Sequence, residues 1–410
     1  MKKTFYIIAL ALLGLTSCDY GDPFNGQGAR QSAAGVSDAT LVEVEKAYYD
    51  NTLGELHLYW KPVAQELDAS FIGTEFVFTT HSGVPLTSDI MRDKNFPQAY
   101  DRVAIATKQP SKVSYRSIWR NEKGERIYSN YQSLEGTEIE TVELGPEVTF
   151  TNMQMPQWFM YDPLEGTPES DLYYKILGNP PYPFFENQLK VICGAMWFND
   201  KDPYVKIQKL QCEFKPSEYV AYVTWDGDKT IMCVSQGHVK GMLNGNFEAG
   251  REELVGVCYH ELTHTMQKPL KSGSKHDNGC YVEGGADASR LICGGFSDNQ
   301  RLTSSKAAVN LPEDNPNADG VPHPWLEQYT TSGFFIAWLR RYDGDFWRKF
   351  NYTSQILTDN DWTFESAVKL IFADNQAVAN AIAEKDCQSD ILRGLWRIYK
   401  EDVEREQISE

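Results

Sequence analysis

His260-Glu261-Leu262-Thr263-His264 follows the run Glu252-Glu253-Leu254-Val255-Gly256-Val257-Cys258-Tyr259, and its reading decides what the second half of the chain is. On a helix, residues four apart project from one face, so the two imidazoles can grip a single metal ion while Glu261 stands beside it as a base. The spacing predicts that helix. Leu254, Val255, Cys258, Leu262 and Met266 recur at helical intervals, Glu252 and Glu253 sit where a first turn favours negative charge, and Pro269 is the stop. A surface helix bearing two histidines by accident would satisfy the same motif, which fixes only three positions.

The segment Tyr281-Val282-Glu283-Gly284-Gly285-Ala286-Asp287-Ala288-Ser289-Arg290-Leu291 separates the two readings. Glu283 stands 19 residues beyond His264, which suits a third ligand delivered from a following helix. Three protein ligands leave the fourth position of a tetrahedral zinc for water, the mark of a catalytic site rather than a closed structural one. Asp287, one turn after Glu283, can orient a ligating imidazole, and Arg290, a further turn on, can pair with Asp287. A solvated ion-pair face is the bland alternative for those three residues. His276 is the competing third ligand, but Lys271-Ser272-Gly273-Ser274-Lys275-His276-Asp277-Asn278-Gly279 is a string of turn formers that reads as a mobile loop, so Glu283 is preferred. A metzincin needs Gly and then His after the second His of the motif; Gln267 and Leu270 stand there instead.

His260 to Gln267, followed by Val282-Glu283-Gly284-Gly285-Ala286-Asp287, resembles the plant basic secretory protein family and its bacterial relatives. Further matches are Val220-Ala221-Tyr222 with Ser235, and Tyr329-Thr330-Thr331-Ser332-Gly333-Phe334-Phe335. The resemblance covers about the last 220 residues. It implies a gluzincin-type metallopeptidase fold, with Zn2+ held by His260, His264 and Glu283 and hydrolysis driven by Glu261. Two departures stand out: this chain is acidic rather than basic, and Gly285 replaces the family's Ile. Neither touches a ligand.

With 410 residues, 41% hydrophobic and 13% aromatic, the chain is long enough for two domains with sizeable cores. A net charge of −18 disfavours nucleic acid or an anionic membrane surface as a partner. Met1-Lys2-Lys3, the apolar run Phe5 to Leu15 and then Thr16-Ser17-Cys18 read as a bacterial lipoprotein signal, cleaved before Cys18 so that its thiol is acylated. The apolar run is too short to span a bilayer. The expectation is an outer-membrane lipoprotein, periplasmic or surface-exposed, touching the membrane only through its lipid; Asp19 and Asp22 resemble the signal of exported surface lipoproteins. After Cys18 seven cysteines remain, an odd number that leaves at least one free thiol, and no pair has the C-x-x-C spacing of a thiolate zinc site.

The fold expected is α+β: an N-terminal all-β sandwich followed by the gluzincin-type domain. Residues 1–17 are the signal and 18–40 a flexible stalk poor in groups to bury. Residues 41–150 alternate as strands, for example 54–60, 74–80 and 114–120, the last turning at Asn121-Glu122-Lys123-Gly124, and their spacing reads as a fibronectin-like sandwich. His57 and His81 are isolated in it and read as structural. Residues 151–183, dense in Pro, Gly and Tyr, read as an irregular connector, and 184–410 as the metallopeptidase-like domain. Tyr219 to Ser235 reads as a hairpin turning at Asp226-Gly227-Asp228 just before the metal helix, and further helices are expected at 330–342, 364–372 and 391–403.

The chemistry expected is hydrolysis of peptide bonds in extracellular proteins by a zinc-activated water with Glu261 as general base. Tyr329 is the first candidate donor to the oxyanion and His323 the second. Two rivals remain open: a non-catalytic surface lipoprotein that binds host protein or glycan, and a structural zinc site, which would need a fourth protein ligand.

Overall fold

The computed structural model describes residues 36–37, 42–63, 70–79, 83–93, 95–96, 102–145, 153–199, 207–268, 270, 274–314, 320–358 and 361–406. The signal 1–17, Cys18, the stalk apart from Val36 and Ser37, His81 and Pro269 lie outside the described residues.

The chain is α+β, β-rich first and helical later. Among the described residues ten strands lie in the N-terminal half: β1 (Val36–Ser37), β2 (Val42–Asp50), β3 (Glu55–Pro62), β4 (Phe71–Thr79), β5 (Pro85–Met91), β6 (Arg102–Ala106), β7 (Lys112–Arg120), β8 (Arg126–Ser129), β9 (Gln132–Glu135) and β10 (Glu140–Val142). One sheet runs β1-β8-β7-β4-β5 with β9 also on β7; the other runs β10-β2-β3-β6. Successive side chains in a strand face opposite ways, so Leu56, Leu58 and Trp60 of β3 enter the space between the sheets, where Val103 and Ile105 of β6, Phe76 and Phe78 of β4 and Val113 and Tyr115 of β7 meet them. Trp60 and Phe76 pack with ring centroids 5.2 Å apart. His57, on the alternate face of β3, stacks flat on Tyr48 at 4.6 Å. The turn after β7 closes with Gly124 N donating to Asn121 O, and Gly124 takes φ 79, where a side chain would be strained.

In the second half come β11 (Gln157–Tyr161), α1 (Pro168–Leu177), α2 (Tyr182–Met196), β12 (Lys209–Lys215), β13 (Ala221–Asp226) and β14 (Lys229–Ser235). The sheet order is β11-β12-β14-β13, with β13 antiparallel to β14 and the other pairs parallel. The expected hairpin is therefore present, and β13 is an outer strand. Residues 151–183, expected to be irregular, contain β11 and α1. Tyr173 and Leu177, four apart, turn one face of α1 into the main core behind a Thr167 cap, while the pairing partner of β11 lies some fifty residues downstream, out of reach of local pattern.

The remaining helices are α3 (Gln236–Met242), α4 (Phe247–His264), α5 (Lys275–Gly279), α6 (Gly285–Ile292), α7 (Asp298–Ala308), α8 (Thr330–Trp338), α9 (Phe346–Ile356), α10 (Phe364–Ile371), α11 (Gln376–Ala383) and α12 (Ile391–Arg405). The expected helices at 330–342, 364–372 and 391–403 correspond to α8 with the 3-10 turn Leu339–Arg341, to α10 and to α12. Among the described residues no helix is long and apolar enough to cross a membrane. Polar contacts join the two halves: Arg340 donates to Glu55 at 2.6 Å, Ala377 N donates to the Asp89 carboxylate at 3.0 Å, and Ser88 donates to Tyr342 O.

Candidate metal centre

The metal helix α4 begins five residues earlier than its charge pattern predicts, because the Asn246 side chain accepts from Glu248 N and Ala249 N and so caps it at Phe247. Leu254, Cys258 and Leu262 are fully buried along one stripe, and His260, on the opposite face, and Glu261 are buried as well, because every residue from Gly256 to Thr263 is enclosed. Cys258 is core, as its position on the apolar face predicts. It and the other six described cysteines are buried and unbridged.

Glu283 arrives in a π-helical turn, Cys280–Gly284, that runs directly into α6. Such turns insert one residue into a helix and so redirect a side chain. This one is pressed against α8 through two glycines: a Cβ on Gly284 would lie 2.1 Å from Ser332 Oγ, and one on Gly333 would lie 2.7 Å from Gly284 O. The Ser332-Gly333 pair and Gly284 thus let two backbones approach closely enough to bring Glu283 onto α4.

The result is a cluster of His260, His264 and Glu283 whose ligand atoms all lie within 4.8 Å of one another. Glu283 Oε2 is 3.2 Å from His260 Nε2 and 3.6 Å from His264 Nε2, and the two imidazoles meet nearly edge-on at 86°. His260 Nδ1 faces Asp287 Oδ1 at 2.7 Å, the orienting contact expected of Asp287. Burial opposes a charge on His260, but Asp287 and Glu283 outweigh it and hold the imidazole up to about 10; burial likewise opposes charge on Glu283, but His260 and His264 hold that carboxyl down to about 2. Glu261 is only 7% exposed, and its Oε2 is buried without a hydrogen bond. Burial raises its pKa, the two imidazoles pull it back, and Glu283 and Asp287 raise it again. Two imidazoles and a carboxylate converging on one point are a donor set that could hold a metal ion, with the orphaned Glu261 oxygen buried beside them.

Tyr329 stands at the rim, half-exposed, its ring parallel to that of His260 with centroids 6.0 Å apart. Its φ of 57 is rare for a tyrosine and costs backbone energy. Partial burial and the nearby carboxylates, Glu283 first, raise its phenol pKa, so it remains a proton-bearing donor near neutrality. β13 packs on α4, so the outer edge of the sheet borders this region.

Other candidates fall elsewhere. His276 lies in α5, a short helix capped by Ser274 where a mobile loop was expected, and is outside the three-residue cluster. His323 stacks on Trp325 at 4.5 Å, with its Nδ1 2.8 Å from Glu313 O, and is not part of the three-residue cluster. Arg290 does not pair with Asp287: its guanidinium donates to Glu253 at 2.7 Å and to Gly295 O at 2.9 Å and lies over Phe296. The Asp287 carboxylate is turned the other way, into His260. The residue that sequence reasoning passed over is Gln267, whose Oε1 is 2.9 Å from His264 Nδ1. Its position three residues after His264 was the available signal.

Compared with known proteins, residues 167–378, just over half of the chain, match the model of a family described as a peptidase of plants and bacteria. Comparison with the curated proteins gives no match.

Proposed function

This chain belongs to the peptidase family of plants and bacteria, and we propose that it is a zinc-dependent, gluzincin-type metallopeptidase in which His260, His264 and Glu283 hold the metal and Glu261 is the general base. The observation that supports this most directly is the convergence of three ligand atoms within 4.8 Å next to a buried carboxylate oxygen that has no hydrogen bond. When bound, zinc supplies a Lewis acid that polarises the scissile carbonyl and lowers the pKa of a water towards about 7. Glu261 takes the proton of the attacking water and returns it to the departing amine. Tyr329 donates its phenolic proton in a hydrogen bond to the oxyanion. The free edge of β13 offers backbone groups to an extended peptide.

The rest of the reading concerns delivery. Cys18 is lipidated after removal of residues 1–17, which tethers the protein to the bacterial outer membrane, facing either the periplasm or the outside. The strand order supports a fibronectin-like sandwich, since β2, β3 and β6 form one sheet and β5, β4, β7 and β8 the other. A surface protein that binds host protein or glycan without turnover would account for anchor and sandwich. It would not account for a Glu261 whose buried Oε2 has no hydrogen bond beside two converging imidazoles.

The test is the metal content of the purified full-length chain against a His260→Ala, His264→Ala variant. About one zinc per chain, lost in the variant, is expected of three protein ligands plus water. Glu261→Gln should keep the zinc and lose peptide hydrolysis. No specific zinc after reconstitution would overturn the mechanism in favour of the binding role, and activity retained in Glu261→Gln would remove that residue as the base.

A further inference from the structure

We propose that Gln267 is the positioning residue for the second ligating imidazole and fastens it to the turn that delivers Glu283; the inference rests on the metal reading above. Gln267 is 5% exposed and lies just past the end of α4. Its amide makes three hydrogen bonds. Nε2 donates to Tyr281 O at 2.9 Å and to Val282 O at 3.1 Å, and Oε1 faces His264 Nδ1 at 2.9 Å.

These partners fix which way the amide points. Backbone carbonyls only accept, so the NH2 group must face Tyr281 O and Val282 O, and both its protons are then used. The remaining atom, Oε1, can only accept, so His264 must carry a proton on Nδ1, which leaves Nε2 as its ligating atom. Asp287 does the same for His260, but with a charged oxygen. A neutral amide orients the second ring without adding a fourth carboxylate to a site that already holds Glu261, Glu283 and Asp287.

The same amide also acts on the third ligand. Tyr281 and Val282 are the two residues immediately before Glu283 in the π-helical turn. Gripping both of their carbonyls ties the height of that turn to the position of His264, two ligands held by one side chain. Bare backbone makes room for it, since a Cβ on Gly285 would come within 2.9 Å of Gln267 Nε2.

The experiment compares the wild-type full-length chain with Gln267→Met and Gln267→Glu, measuring Zn2+ affinity by chelator competition and the visible spectrum of the Co2+-loaded proteins, with apo-protein melting as the folding control. Met matches the size of Gln and makes none of the bonds, so Zn2+ affinity should fall about 10- to 100-fold with an altered Co2+ spectrum. Glu keeps an acceptor for His264 but sets a carboxylate oxygen against two carbonyl oxygens, so it should not rescue affinity. A role limited to accepting from His264 predicts the opposite for Glu. Gln267→Met within about twofold of wild type with an unchanged spectrum, or full rescue by Glu, overturns the proposal. If the wild-type chain itself binds neither Zn2+ nor Co2+, the metal reading falls and takes this one with it, a result distinct from a wild type that binds and a variant that binds equally well.

Discussion

Glu55→Gln should destabilise the protein near neutral pH and do so progressively less in acid. Glu55, at the start of β3, is buried against the second half and accepts from Arg340 at 2.6 Å with His57 3.2 Å away. Burial opposes its charge, yet Arg340 and His57 more than compensate, and its carboxyl is held down to about 2 from an ordinary value of 4.5. A depressed folded-state pKa contributes stability that is present above the unfolded value and lost as pH falls through the folded one. The difference is worth on the order of 3 kcal/mol near neutral pH, of which about 2 kcal/mol should be gone by about pH 3. Glutamine removes the charge at every pH and leaves Arg340 buried without its partner. Thermal melts of wild type and variant across this range measure the gap, at a Tm cost of several degrees near neutrality. A gap that stays constant down to about pH 3, or no gap at all, refutes the reasoning, because either result means the carboxyl titrates alike in folded and unfolded chains.

Tyr329→Phe removes one hydrogen-bond donor and should lower kcat by about a hundredfold while leaving KM and zinc content nearly unchanged; equal kcat would show that the ring only lines the rim. Gly285→Ile, which restores the family's residue, should cost about 1–3 kcal/mol in stability here, since a Cβ at that position would lie 2.6 Å from the Trp347 ring. Introduced together with Trp347→Leu, the same change should cost less than it does alone; additive losses in the double-mutant cycle would show that the two positions do not share the space.

How much of this was legible from sequence depends on how far each feature reaches along the chain. The His260 and His264 pair needs only the pitch of one helix, and Asp287 needs only one turn beyond Glu283, so both could be placed without coordinates. The strands at 54–60, 74–80 and 114–120 were legible for the same reason, because a period of two is local. The sheet order β11-β12-β14-β13 was not, since a parallel partner is named by no neighbouring residue. Arg290 shows the same limit at side-chain scale. Its spacing from Asp287 permitted a pair, but spacing does not say which neighbour faces the core: Glu253, reached across the packing of α4 on α6, and Gly295 O, just past the end of α6, hold the guanidinium.

The two features that complete the candidate metal centre, the π-helical turn and the Gln267 amide, share one origin. Inserting a residue into a helix leaves no compositional trace in Cys280-Tyr281-Val282-Glu283-Gly284 except its glycine, and that glycine acquires meaning only when Ser332 and Gly333 press against it from fifty residues away. Gln267, in turn, has carbonyls to hold only because the turn presents Tyr281 O and Val282 O side by side. The ligands follow from short-range spacing, whereas the means of holding them rigid follows from contacts between α4, the turn and α8. Variants that spare every ligand but disturb that packing, Gly333→Ala among them, should therefore weaken metal binding while His260, His264 and Glu283 remain in place. In Gly333→Ala the new Cβ would sit 2.7 Å from Gly284 O and 2.8 Å from Asp287 Cβ, so α8 must retreat from the turn. Chelator competition on that folded variant reads the consequence, and a Zn2+ affinity equal to wild type would show that the turn keeps its shape without α8 against it.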